Sequence, residues 1–363
     1  MKERVVRLLR EMADAMRKAG DRHRVRAYSR AANNIERRQD FDVLYDNKRL
    51  QDIAGVGPAI EKKIIDFVEH GTRPDWLDDP RKVPEKLRGS AVTRARAAAG
   101  GLEVEADPPQ AYFETPFFDA PDLHVHTTWS DGTLSLEEVV EWAKRLQAPA
   151  VGISDHSGSL RIANGLRPDE VREQWAEIER LQAEHPDILI LRGTECDILR
   201  DGTLDHPEDL LAEFDYVIGS LHSSLKLDKA QQTERVLRAL DCEHLTILGH
   251  PTTRVPNYRA PANLDLDRIF EKAAERGVAM EVNGNPGRID LDIPLAKKAL
   301  EHGCKLAVTS DGHSAREMLS VAVAKLMASE AGATEADIVN YDVMGDPRAG
   351  AAGKRRGLTR SSR

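Results

Sequence analysis

Leu123-His124-Val125-His126-Thr127-Thr128-Trp129-Ser130-Asp131-Gly132 is the stretch on which the reading of this chain turns. A short apolar run ends in His-x-His. Alternate side chains of a β-strand share a face, so His124 and His126 make a ready two-toothed chelate. Six further apolar runs follow, at Ala150–Ile153, Ile188–Leu191, Tyr216–Ile218, Leu245–Leu248, Val278–Val282 and Leu306–Val308. Helical patterns separate most of them, clearest at 135–146, 168–183, 230–240, 266–276 and 293–302. Seven strands alternating with helices predict a parallel α/β architecture, either a barrel or a doubly wound sheet.

Every run except the sixth ends in a potential metal ligand. The first gives His124 and His126 with Asp131 in the loop, the second Asp155 and His156, and the third Glu195. The fourth gives His222, the fifth His250, and the seventh Asp311 and His313, which repeat the alternate spacing. Side chains that do chemistry in α/β barrels gather at the C-terminal strand ends, which favours the barrel. Imidazoles mixed with a few carboxylates suit zinc, manganese or iron rather than magnesium or calcium. A lone histidine beside a strand is ordinarily a hydrogen-bonded core residue, but half of the 12 histidines fall at these ends. His23, His70, His185, His206, His244 and His302 carry the ordinary reading.

Composition bounds the rest. The chain has 363 residues, 40% of them hydrophobic, enough for a real core. No run nears the roughly 18 apolar residues of a membrane span, and the charged, amphipathic opening is no secretory signal. A soluble, cytoplasmic protein without membrane contact is expected. Cys196, Cys242 and Cys304 lie far apart, match no zinc spacing and read as buried thiols. The net charge of −9 divides as +7 over residues 1–100, −21 over 101–343 and +5 over 344–363. An acidic body with basic ends fits a carboxylate-rich catalytic centre that approaches an anion through its appendages or its metals. Aromatics at 5% argue against a stacking platform that coats single strands.

Residues 1–72 read as helices. Val5, Leu8, Leu9, Met12 and Met16 keep the helical period to Gly20, and Arg24 to Arg38 forms a second amphipathic run. In Leu50–Ile64, Gly55 and Gly57 separate a short helix from a longer one. Residues 73–118 are rich in proline and charge and read as a connector, with a short helix at about 90–99. The barrel is expected over 119–343, and 344–363 as a basic, disordered tail.

The strand-end residues, with Ser159–Gly165, Gly202–Leu204 and Asn283–Arg288, resemble the PHP (polymerase and histidinol phosphatase) phosphoesterase domain, in the version carried by bacterial and archaeal family X DNA polymerases. The resemblance implies an irregular seven-stranded β/α barrel around three divalent metal ions, manganese or zinc with iron an option. It implies one metal on His124, His126, Glu195 and Asp311, a second on Glu195, His222 and His250, and a third on Asp131, His156 and His313. Glu195 would bridge two cations, and such a cluster polarises phosphoryl oxygens and activates water. Glu195, His222 and Asp311 would thereby serve catalysis directly. Asp155 reads as an orienting residue behind the ligands. Arg161, Arg254 and Arg288 are candidate phosphate clamps.

Residues 50–71 resemble a helix-hairpin-helix. Its glycines, Gly55 and Gly57, would let backbone N–H groups meet a DNA phosphate without reading sequence. Lys62 and Lys63 are candidate DNA contacts, and Lys63 matches the position of a lyase lysine in the family X N-terminal domain. A Schiff base there needs a lowered pKa; an ordinary phosphate contact does not. The interval 72–121 holds no carboxylate pair on a strand, so the polymerase palm of that family is missing.

The expectation is a metal-dependent DNA phosphoesterase that processes 3′ ends or gaps, by 3′–5′ exonuclease or 3′-phosphatase activity, with abasic-site cleavage a further option in DNA repair. The alternative is a small-molecule phosphatase of the histidinol-phosphate type, which has no use for a DNA-binding hairpin. A third reading, a DNA-binding scaffold with a decayed barrel, is opposed by nine intact ligand positions.

Overall fold

The structure is a computed structural model and describes residues 1–18, 22–74, 77, 108–256 and 258–344. The chain falls into two compact units, Met1–Glu105 and Ala106–Arg363. The helix expected at about 90–99 and the basic tail beyond Met344 lie outside the described residues.

The first unit is helical. Helices α1 (Lys2–Lys18) and α2 (Arg22–Arg37) pack through Val5, Leu9, Met12 and Met16 against Ala31, Ala32 and Ile35. A short helix α3 (Phe41–Asp46), under two turns and too short to show a period, follows. The hairpin runs from a 3-10 turn (Leu50–Asp52) to α4 (Pro58–His70), with Ile53, Ile60 and Ile64 closing the core. Gly55 at the bend has φ +83°, and a Cβ there would also stand 3.0 Å from Arg30 Cγ. Gly57 caps α4 and Pro58 opens it, a position where the missing N–H costs nothing.

The second unit is built on six parallel strands in sequence order: β1 (Ala150–Ile153), β2 (Leu189–Asp197), β3 (Tyr216–Ser220), β4 (Ile247–Leu248), β5 (Ala279–Asn283) and β6 (Leu306–Thr309). Parallel strands in this order need a crossover each, and helices Pro168–Glu184, Lys229–Ala239, Leu266–Arg276 and Ile293–Glu301 lie between them. The sheet is curled. Tyr216 fills its interior, since a Cβ on Gly152 or Gly193 would collide with the tyrosine ring, and its hydroxyl donates to Leu123 O at 2.6 Å.

Of the seven expected strands, the first, Leu123–Val125, is not one. It makes isolated bridges through Asp122 to Val151 and through Val125 to Gly312. Side chains take the backbone groups a ladder would use: Asp122 accepts from His124 N–H at 3.1 Å and Ser154 Oγ from Val125 N–H at 2.9 Å. The segment still links both sheet edges, with Gly152 N–H donating to Asp122 O and His126 N–H to Gly312 O, each at 2.8 Å. Two corrections are smaller. Glu195 lies inside β2, which runs on to Asp197, and Cys242 is half-buried whereas Cys196 and Cys304 are buried. No helix among the described residues is long and apolar enough to cross a membrane.

Candidate metal centre

The curled sheet brings all nine strand-end donors to one place. Glu195 stands at the middle. Its Oε1 lies 2.8 Å from His250 Nε2 and 3.2 Å from His222 Nε2; its Oε2 lies 2.8 Å from His156 Nδ1, 3.4 Å from His124 Nε2 and 3.5 Å from His126 Nε2. Asp311 Oδ1 is 3.3 Å from His126 Nε2 and 3.7 Å from His124 Nε2. Asp131 Oδ1 is 3.1 Å from His313 Nε2 and 3.5 Å from His156 Nε2.

Among these donors, three groups converge closely enough to hold an ion: His124, His126 and Asp311; His156, Glu195 and His222; and His126, Asp131, His156 and His313. His156 therefore stands between two of the groups, whereas the resemblance implies one, and His250, expected beside His222, is in none of them and meets the donors through Glu195.

The loops are held to this purpose. A Cβ on Gly132 would come within 2.1 Å of His126 O, so only glycine lets the chain fold back and return Asp131 to the cluster. Asp155 accepts from Thr127 N–H at 2.8 Å, Ser130 N–H at 3.1 Å and Gln174 Nε2 at 2.6 Å. It braces the loop that carries Asp131 rather than a ligand ring. His250 (φ +23°) and Asp311 (φ +51°) occupy left-handed backbone that non-glycine residues avoid, the strain expected where function fixes geometry.

Two carboxylates behind the donors escape the sequence pattern. Glu281 on β5, buried, meets His124 Nδ1 at 2.5 Å and also accepts from Thr309 Oγ1 at 2.7 Å and His250 N–H. Asp197 meets His222 Nδ1 at 2.6 Å. Each holds the far nitrogen of a ring and so turns Nε2 toward the cluster. Glu195-x-Asp197 repeats the alternate spacing of the histidine pair and is a legible signal. Glu281 lies inside an apolar run, where burial gives no hint of a role.

Charge follows the geometry. Burial, then the charges of His313 and His156, lower His126 to about 3, leaving a neutral imidazole with its lone pair free for a cation. Burial opposes charge on His313, yet Asp131, Asp311 and Glu317 together outweigh it and lift the ring to about 9. Burial likewise works against charge on Glu195, but His222, His156 and His124 overcome it and hold the carboxyl well below its usual range. The fit to cations rests on orphaned atoms. His124 Nε2, both ring nitrogens of His126, Glu195 Oε2 and His222 Nε2 are buried without a hydrogen-bond partner. Leaving so many buried polar atoms unsatisfied is costly unless something binds them.

The arginines divide differently from the sequence expectation. Arg161 is exposed on a 3-10 turn. Arg254 is committed to Asp292 at 2.9 Å and Arg288 O at 3.3 Å. Arg288 is the one whose Nε reaches the cluster, 3.4 Å from Asp311 Oδ2. In the helical unit Lys62 is exposed, and Lys63 donates to Ala59 O at 3.2 Å. Burial, then Arg24, lowers the Lys63 pKa.

A curled parallel sheet with imidazoles and carboxylates converging beyond its strand ends, and an arginine at their edge, defines a metal-dependent phosphoester hydrolase. The PHP domain profile matches residues 122–285 and a helix-hairpin-helix domain profile matches residues 1–73. The chain is 33% identical over 203 residues to a probable phosphatase of Caldanaerobacter subterraneus, covering 53% of this chain and 75% of that one. It is 41% identical over 214 residues to the DNA polymerase/3′-5′ exonuclease PolX of Bacillus subtilis, covering 59% of this chain but 37% of that protein's length. A crystal structure of histidinol phosphate phosphatase from Lactococcus lactis, complexed with zinc, L-histidinol and phosphate, aligns over 60% of this chain and 95% of that chain at 21% identity and a TM-score of 0.45. The chain belongs to the PHP-domain family.

Proposed function

We propose that this protein is a DNA phosphoesterase that processes 3′ ends, as a 3′–5′ exonuclease or 3′-phosphatase acting in DNA repair. The observation that carries it is the pairing, in one chain, of the convergent donor groups, with His250 joined to them through Glu195, and a helix-hairpin-helix unit. Three divalent ions, manganese or zinc, would be held by His124, His126, Glu195 and Asp311; by Glu195, His222 and His250; and by Asp131, His156 and His313. Bound there, they would supply Lewis-acid charge to the phosphoryl oxygens and activate water. The chain's own residues do the rest. Glu281 and Asp197 fix two rings, Asp155 fixes the Asp131 loop, and Arg288 offers a guanidinium to a phosphate oxygen. Gly55, Gly57, Lys62 and Lys63 would hold the DNA backbone without regard to sequence, at 3′ ends or gaps. The lowered Lys63 pKa is also what abasic-site cleavage by a lysine amine requires. The exonuclease named in the Bacillus relative supports the DNA reading.

A second reading, a small-molecule phosphatase, is favoured by the probable phosphatases that match over three quarters or more of their length. The test is kcat/KM for a 3′-recessed oligonucleotide against histidinol phosphate, with manganese and then zinc. The DNA substrate should win and should lose activity steeply with salt as counterion release is suppressed. Histidinol phosphate winning by orders of magnitude under both metals would reverse the assignment.

A further inference from the structure

Among the described residues, the two large hydrophobic side chains most open to solvent are Ile162, 92% exposed, and Tyr258, 90% exposed. A single exposed hydrophobe needs no explanation. These two share a location: Ile162 stands in the loop leaving β1, six residues past His156, and Tyr258 in the loop leaving β4, eight past His250. β1 and β4 are three strands apart in the curled sheet, and each is followed by a donor histidine before its loop begins, so the two side chains stand on separate loops of the rim that carries the donors.

Both loops are pinned at their roots. Val255 and Arg259 exchange backbone hydrogen bonds at 3.0 and 2.8 Å, and Tyr258 N–H donates to Val255 O at 2.9 Å. Arg259 Nε donates to Thr253 O at 2.8 Å, and Thr253 N–H to His250 O at 2.8 Å, so the hairpin is stapled to a cluster histidine. In the loop leaving β1, Leu166 N–H donates to His156 O at 2.7 Å and Ser159 Oγ to Asp197 Oδ2 at 2.9 Å. Rigid roots under bare apolar tips lose little conformational freedom on contact with a ligand.

A ligand that places phosphate on the cluster and a flat apolar face beside it is a nucleotide at a strand end. We propose that Tyr258 stacks on the base of the terminal nucleotide whose phosphate lies over the cluster, with Ile162 packing from the other loop. One aromatic suffices for one base and asks for no platform along the strand. This inference rests on the DNA reading above and names the feature of the end that is gripped.

The test uses two 3′-recessed oligonucleotides, one ending in an ordinary nucleotide and one in a base-less tetrahydrofuran residue, with p-nitrophenyl phosphate as a third substrate. The unaltered protein should favour the base-bearing end by about 10-fold in kcat/KM. Tyr258→Ala should erase that preference by raising KM for the base-bearing end alone, Tyr258→Phe should retain it, and Ile162→Ala should weaken it. Both side chains are solvent-exposed, so the substitutions spare the fold. Equal cleavage of the two ends by the unaltered protein, or an equal loss on both in Tyr258→Ala, overturns the grip while leaving the DNA reading standing. Turnover of p-nitrophenyl phosphate with neither DNA end cut removes the DNA reading and the grip together.

Discussion

Glu195 touches five imidazoles through two oxygens, so its charge is shared by more of the site than that of any other donor. Glu195→Gln keeps the shape and removes the charge; elemental analysis should show the loss of at least two ions per chain. Full metal content with normal turnover would exclude a bridging role. His124→Ala and Asp311→Ala should abolish hydrolysis with the circular dichroism spectrum unchanged. Glu281→Gln tests the carboxylate behind His124: metal affinity should fall about 10–100-fold, as partners behind ligands typically contribute, while the protein still folds. The difference in legibility between these residues is physical. Side chains that end strands announce themselves by type and spacing, as His124 and His126 do. Glu281 acts from within the sheet, and only the distance to His124 Nδ1 reveals it.

At the scale of elements, amphipathic helices with one polar face are readable almost to the residue, as at Leu266–Arg276. The helix Val321–Glu330 is not, because it is apolar on most of its surface and buries even a lysine. Lys325 Nζ donates to Phe118 O at 2.7 Å and lies 5.8 Å from the Tyr112 ring centroid; burial lowers its pKa to about 8. The folded state therefore sheds this proton before the unfolded chain does. Between pH 8 and about 10.4 the unfolded state binds more protons, so stability rises with pH, by up to about 1.4 kcal/mol per unit. Below pH 8 both states hold the proton and the contribution is level. Lys325→Met removes the titrating group. The stability of the unaltered protein relative to this variant, from urea unfolding, should be flat from pH 6 to 8 and grow from pH 8 to 10. A difference that stays level across both intervals would show that the lysine is not held in a depressed state.

At the scale of the whole chain, the two units have separate cores: one is drawn from residues before 78, the other from residues after 116. The probable phosphatases that match do so over 53–61% of this chain and 75–90% of their own length, as expected if the α/β unit folds without the helical unit. Chemistry and DNA affinity should then separate. The acidic centre, −21 over residues 101–343, gives a polyanion little attraction beyond the metals, whereas residues 1–100 carry +7. Deleting residues 1–72 should weaken DNA binding and make the slope of log K against log salt shallower. The change should be about 0.9 for each duplex phosphate that is no longer neutralised, or about 0.7 on a single strand. Hydrolysis of a small chromogenic phosphodiester should persist at an unchanged rate, because the nine donors remain. A truncated protein that keeps the full salt slope would place the DNA-binding groups on the α/β unit itself, and one that loses both activities equally would show that the cluster depends on the helical unit for its geometry.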